Sequence, residues 1–190
     1  MKKILIGTHN SGKFKEISFL LSKKIKKISP KSLKIKSPKE TGKSFIANSK
    51  LKARYFSNFS KLPIISDDSG LCIKSLNDKP GIYSARWAKR YGSFFKAMKV
   101  ILKKMKNEKN RSATFVCCLT FISKKKIITT TGKIKGSISY KIKGKKGFGY
   151  DPIFIPLSKS LTFGEMIKAD KMKMDHRYIA FKQLKKRIKI

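Results

Sequence analysis

Acidic side chains are scarce in this sequence: ten Asp and Glu stand against 48 Lys and Arg, a formal net charge of +38. Two of the ten are adjacent, in Ser66-Asp67-Asp68-Ser69-Gly70. Adjacent carboxylates repel and are kept where something cationic sits. Magnesium is the candidate, because it takes oxygen ligands and bridges one or two carboxylates to a substrate phosphate. Cysteine is also sparse. Cys72, Cys117 and Cys118 form no CxxC pair, and their odd number argues against a disulfide framework. No apolar run approaches the length of a membrane span. The start, Met1-Lys2-Lys3-Ile4-Leu5-Ile6-Gly7, turns polar too soon for a signal peptide. These absences predict a soluble, reduced, cytoplasmic protein.

The apolar content, 40%, is that of a globular chain, and 190 residues suffice for a core in one domain or two small lobes. The positive charge invites a nucleic-acid reading, since such a field attracts polyanions. The lysines, however, run along the whole chain rather than gathering in one arm or on one helix face. That spread predicts a solvated surface with no specific nucleic-acid partner. A basic nucleic-acid-binding module remains the alternative from a different functional class.

Hydrophobic periodicity predicts alternating strands and helices followed by a hairpin, hence a mixed α/β fold with a partly antiparallel sheet. Lys3 to Thr8 reads as a buried strand, and Phe14, Ile17, Leu20 and Leu21 recur at helical spacing. Leu33 and Ile35 suggest a short strand ended by Pro38. Ser44 to Phe59 reads as a helix, and Leu62 to Ser66 as a strand that ends at the aspartates. Asn77-Asp78 marks a turn. Phe94, Met98, Ile101, Leu102 and Met105 form the clearest amphipathic helix. Ala113 to Phe121 alternates like a strand with one packed face. Lys124 to Lys126 turns it into a partner over Ile127 to Ile134. Ile153 to Ile155 is a short strand, and Tyr178 to Ile188 a closing helix.

Several segments carry chemistry. Gly7-Thr8-His9-Asn10-Ser11-Gly12-Lys13 joins the first strand to the first helix, where backbone amides attract phosphate and Lys13 adds a point charge. Its spacing matches the front of a P-loop, but Phe14 stands where a P-loop needs Ser or Thr. A P-loop-like NTPase or phosphotransferase is therefore kept as an alternative. Asp67-Asp68 offers one metal ligand and one group to orient or deprotonate water; a solvated strand-end turn is the competing account. Glu40 adds a third carboxylate, or simply a favourable charge near a helix start. Arg86, after Pro80-Gly81, can bind phosphate, organise the carboxylates or form a salt bridge. Gly147-Phe148-Gly149-Tyr150-Asp151-Pro152 sets an aromatic suited to stacking between two glycines, with Asp151 able to accept from base N–H groups. Lys171, His176 and Arg177 supply donors, and His176 also fits a helix cap.

In order along the chain, several strings resemble the inosine/xanthosine triphosphate pyrophosphatase family. They are Asn10 and Lys13 with Glu16, Asp67 to Leu71, Pro80-Gly81 with Ser84-Ala85-Arg86, Gly147 to Phe154, and Lys171 with His176-Arg177. The resemblance runs from the first strand to the last helix. It implies an elongated mixed sheet in two lobes flanked by helices, an active-site cleft between the lobes, magnesium dependence and a homodimer. It implies hydrolysis of ITP, dITP and XTP to the monophosphate and pyrophosphate. By motif, Thr8 to Lys13 would hold the triphosphate, and Asp68 would be the general base and, with Glu40, a magnesium ligand. Ser69 would contact substrate and Phe148 stack on the purine. Gly149 and Tyr150 share the substrate segment, and Asp151, Lys171, His176 and Arg177 would read or position the base, Arg177 as a donor to its 6-oxo group. Two stretches depart from the pattern. Asp175 replaces the usual serine before His-Arg, and Tyr91 to Ala97 lacks the usual Asp and Asn.

Overall fold

The computed structural model describes residues 2–124 and 126–188. It is a mixed α/β fold built on a seven-stranded sheet. Strands β1 (Lys3–Gly7), β2 (Lys26–Ile28), β3 (Ile64–Ile73), β5 (Ser112–Ser123), β6 (Lys126–Ile138) and β7 (Phe154–Pro156) run in the order β2-β1-β3-β5-β6-β7, and β4 (Lys79–Pro80) pairs with β3. β1 lies parallel to β2 and β3, whereas β4 on β3 and β7 on β6 are antiparallel. The helices are α1 (Ser11–Leu20), α2 (Phe45–Ser57), α3 (Ser84–Arg90), α4 (Phe94–Lys104), α5 (Lys168–Lys171) and α6 (His176–Lys185).

The chain forms two compact units. The first takes the residues up to Asp68, Cys117–Gly132, and those from His176 onward. Its strands bury both faces, which is why Ile4-Leu5-Ile6 is apolar without interruption. Because side chains alternate along a strand, Ile4, Ile6 and Ile65 pack with Ile17 of α1 and Phe181 and Leu184 of α6. Leu5 and Ile64 point the other way, onto Phe56 of α2.

The second unit takes Ser69–Val116 and Lys133–Asp175. Its core joins Ala97, Met98, Ile101 and Met105 to Leu71, Ile73, Phe115, Phe154 and Phe163. Met98, Ile101 and Met105 belong to the apolar stripe expected of α4, whose Phe94 and Leu102 pack against the same core, and Ser93 caps that helix by accepting from the Lys96 amide at 3.1 Å.

Four expectations change. Leu33 and Ile35 do not form a strand. Lys31–Leu33 is a single 3-10 turn closed by Lys34 at φ +55°, and the edge strand is Lys26–Ile28, too charged to read as one. β3 does not stop at the aspartates but continues through them to Ile73. β5 is buried on both faces, not one. α6 begins at His176 and ends at Lys185. In the hairpin turn, Lys124 takes φ +52° and Lys126 opens β6; Lys125 lies outside the described residues.

Gly132 shows how closely β6 and α6 approach. A Cβ there would stand 2.0 Å from the His176 carbonyl oxygen and 2.4 Å from the Ala180 nitrogen. Both are backbone atoms and cannot step aside. Gly132→Ala should cost about 3 kcal/mol, read from the urea midpoint. Gly81→Ala, with open space but φ +54°, should cost only about 1 kcal/mol.

Candidate active site

β1 delivers the chain to the start of α1. Thr8 accepts from the Asn10 amide at 3.2 Å, and Asn10 caps the helix by accepting from the Lys13 amide at 3.0 Å. Ser11 and Gly12 are the first two residues of α1, a ten-residue helix whose amino end favours anions. His9 turns elsewhere: its Nε2 donates to the Ile35 carbonyl at 2.9 Å. Gly7 must lack a side chain, since a Cβ would lie 2.1 Å from Ser66 Oγ.

Strand alternation separates the two aspartates. Asp67 shares the face of Ile65, and Asp68 that of Ile64. Asp67 is fully buried, and one of its oxygens meets Lys13 Nζ at 3.2 Å and an Arg177 nitrogen at 3.3 Å. The other terminal nitrogen of Arg177 binds Glu16. Burial works to push the Asp67 carboxyl up. Lys13, Arg177 and Lys52 outweigh it and hold the group well below the usual carboxylate range. Asp67 is thus a fixed negative charge that ties α1, β3 and α6.

Asp68 faces α2. Its Oδ2 accepts from Asn48 Nδ2 at 3.1 Å, and its Oδ1 lies 3.4 Å from Lys52 Nζ. The same ammonium binds Glu40 at 2.6 Å. Burial pushes the Asp68 carboxyl above its ordinary value; Lys52 and Lys13 oppose this, while Glu40 and Asp67 add to it. Burial also disfavours the Lys52 ammonium, but Asp68, Asp67 and Glu40 together raise its pKa and keep it charged. Asn48 Oδ1 accepts from the Gly42 amide at 2.8 Å, which fixes the loop that carries Glu40.

Among the described residues no three His, Cys, Asp or Glu gather as a metal cluster. Asp68 and Glu40 nevertheless converge on one cation, Lys52 Nζ. Two carboxylates completed by substrate oxygens suit magnesium, so the donor set fits that ion.

In the second unit, Gly147 and Gly149 take φ +73° and +67° around the half-buried Phe148. Asp151 Oδ2 accepts from the Phe148 amide at 2.8 Å and from Lys171 Nζ at 2.6 Å. Lys171 Nζ also lies 5.2 Å from the centre of the Phe148 ring. Gly147 is required, because a Cβ would stand 2.1 Å from that carboxylate oxygen. Ser69, in β3, is half-buried.

Some assignments move. Arg177, expected to donate to a purine, directs its two terminal nitrogens at Glu16 and Asp67, because so deeply buried a guanidinium needs carboxylate partners. Tyr150 belongs to the core, and its hydroxyl donates to the Ser84 carbonyl at 3.0 Å. His176 is buried at the start of α6. Arg86 is exposed and lies 4.1 Å over the Tyr83 ring, and no carboxylate among the described residues pairs with it. Asn48 and Lys52 escape sequence reading. Their one trace is a polar pair four residues apart on the inward side of α2.

A family model, the Ham1 family, matches residues 4–187. A dITP/XTP pyrophosphatase of Dictyoglomus thermophilum is 41% identical, over 96% of this chain and 92% of its own. One from Caulobacter vibrioides is 39% identical, over 96% of each. Among solved structures, a HAM1 protein from Coxiella burnetii superposes with a TM-score of 0.87 at 32% identity, covering 98% of both chains. A nucleoside-triphosphatase / dITP/XTP pyrophosphatase from Mycobacterium abscessus gives 0.76 at 33% identity, over 96% of this chain and 98% of that one. With a family model spanning nearly its whole length and relatives this similar, the chain belongs to the Ham1 family.

Proposed function

We propose that the chain hydrolyses XTP, dITP and ITP to the nucleoside monophosphate and pyrophosphate, with magnesium. The observation that carries this reading is the near-full-length similarity to proteins named dITP/XTP pyrophosphatase. The chemistry needs an attacking water in line with the bond between the α and β phosphates, and charge neutralisation around them. Thr8 to Lys13 hold the triphosphate at the amino end of α1. Lys13 adds a positive charge whose place is set by Asp67. Asp68 takes the proton from water. Asp68 and Glu40 would hold the magnesium ion, which when bound screens phosphate charge and acidifies water. Ser69 contacts substrate and Phe148 stacks on the purine. Asp151 holds Lys171 in place for the base.

Hypoxanthine and xanthine offer a 6-oxo acceptor, where adenine offers an amino donor. A fixed protein donor at that point rejects adenine, because two donors face each other unpaired. Arg177, His176 and Lys171 are the candidates for that donor, the first held by Glu16 and Asp67 and the last by Asp151.

A nucleotide panel tests the reading. With magnesium, XTP, ITP and dITP should release pyrophosphate at least about a hundredfold more efficiently than ATP. EDTA should abolish turnover and added magnesium restore it. Orthophosphate as the sole product, or preferential use of ATP, would overturn the proposal and favour the P-loop reading. Phe148→Ala should raise KM for XTP by about tenfold or more, the worth of one stacked base. An unchanged KM would remove Phe148 from the base site.

A further inference from the structure

The first unit holds a second concavity at the opposite end of its strands from the phosphate-binding turn. It encloses about 1170 Å³ where the start of β1, the segment entering β3, the end of β5 and the chain after α6 meet. Its floor is apolar: Ile4, Ile25, Leu62, Pro63, Phe121 and Ile188. Its rim carries Lys2, Lys3, Lys124, Lys126, Lys186 and Arg187, all exposed. Among the described residues, no acidic side chain lines it. β1 separates Ile4 from Thr8 by about 13 Å of strand, so this concavity and the proposed phosphate site are distinct.

The rim differs from the general positive surface in two ways. Its six charges surround an apolar hollow, where low-dielectric walls concentrate the field on whatever enters. No carboxylate among the described residues forms a salt bridge with any of the six, so a bound anion would relieve their mutual repulsion. The floor then decides what kind of anion fits. Among the described lining residues, Phe121 is the one aromatic ring and is itself buried in the core, and Ser123 is the one neutral polar side chain. No exposed aromatic ring among the described lining residues offers a base a stacking surface. Leu62 and Pro63 are half-buried, so an aliphatic body meets them above the buried Ile4, Ile25 and Ile188.

We infer that this concavity binds a monomeric amphipathic anion, a medium-chain acyl or alkyl group with a carboxylate or phosphate head. The chain lies on Leu62 and Pro63, and the head sits among Lys3, Lys124 and Lys186.

Calorimetric titration with dodecanoate and dodecyl phosphate, each below its micelle threshold, tests this. Both should bind saturably at one site per chain, and uncharged dodecyl maltoside should not. Lys3→Glu with Lys186→Glu should weaken dodecanoate by at least about tenfold and leave XTP turnover within about twofold. Lys96→Glu with Lys103→Glu, the same charge change on α4, should leave dodecanoate binding unaltered. Leu62→Asn should weaken dodecanoate without changing the response to inorganic phosphate. Absence of saturation overturns the inference. So does equal loss in both charge-reversed pairs, which would show only the background field. Displacement of dodecanoate by XTP would assign the binding to the proposed phosphate site instead, and binding to acyl-containing vesicles without binding of the monomer would assign it to a membrane surface.

Discussion

The buried guanidinium of Arg177 organises the first unit. It has almost no contact with solvent, and it draws Glu16 from α1 and Asp67 from β3, 161 and 110 residues away in sequence. A charge taken out of water is tolerable only when it is paired and hydrogen-bonded. The three segments must therefore be in register before the cluster can close. Its value lies in that requirement for geometry more than in net stabilisation, since a buried ion pair often does no better than an apolar replacement. Asp67 passes the constraint on by fixing Lys13 at the amino end of α1.

The other half of the site follows from strand geometry. Adjacent residues on a strand face opposite ways, so the aspartate beside Asp67 cannot join the same cluster. Asp68 meets α2 instead, where Asn48 and Lys52 hold it and Glu40 shares the lysine. Asp67 gains cations on both sides and is held ionised. Asp68 has Lys52 and Lys13 working against burial and two neighbouring carboxylates, and its pKa rises. Two identical side chains thus acquire different chemistry from one backbone rule, a pattern typical of sites where environments push apart the pKa values of similar groups.

Much of the fold was legible because local chemistry agreed with it. The Ile4-Leu5-Ile6 run, the Ser93 cap with the α4 stripe, and the glycines around Phe148 each carry their own local signal. β2 was hidden because Lys26-Lys27-Ile28 is an exposed edge strand with little to bury. The continuation of β3 was hidden for the opposite reason. Asp-Asp-Ser-Gly reads as a turn, and only partners far along the chain make those carboxylates acceptable inside a strand. Asn48 and Lys52 look like the solvated polar residues of any helix until Asp68 is placed beside them. The scarcity of acid was informative in the end: Glu16, Glu40, Asp67, Asp68 and Asp151 all bind a lysine or an arginine.

On the proposed reading Asp67 serves the fold and Asp68 the reaction, and a paired comparison of Asp67→Asn and Asp68→Asn separates the two roles. Each variant is measured for urea stability and for pyrophosphate release from XTP. Asp67→Asn removes a carboxylate whose charged form the fold favours, and should cost about 3 kcal/mol or more of stability. Asp68→Asn removes one whose charged form the fold disfavours, while Lys52 keeps Glu40. It should stay within about 1 kcal/mol of the parent in stability yet lose at least about a hundredfold in kcat. Equal destabilisation by both changes, or an Asp68→Asn variant that retains its kcat, would contradict the account.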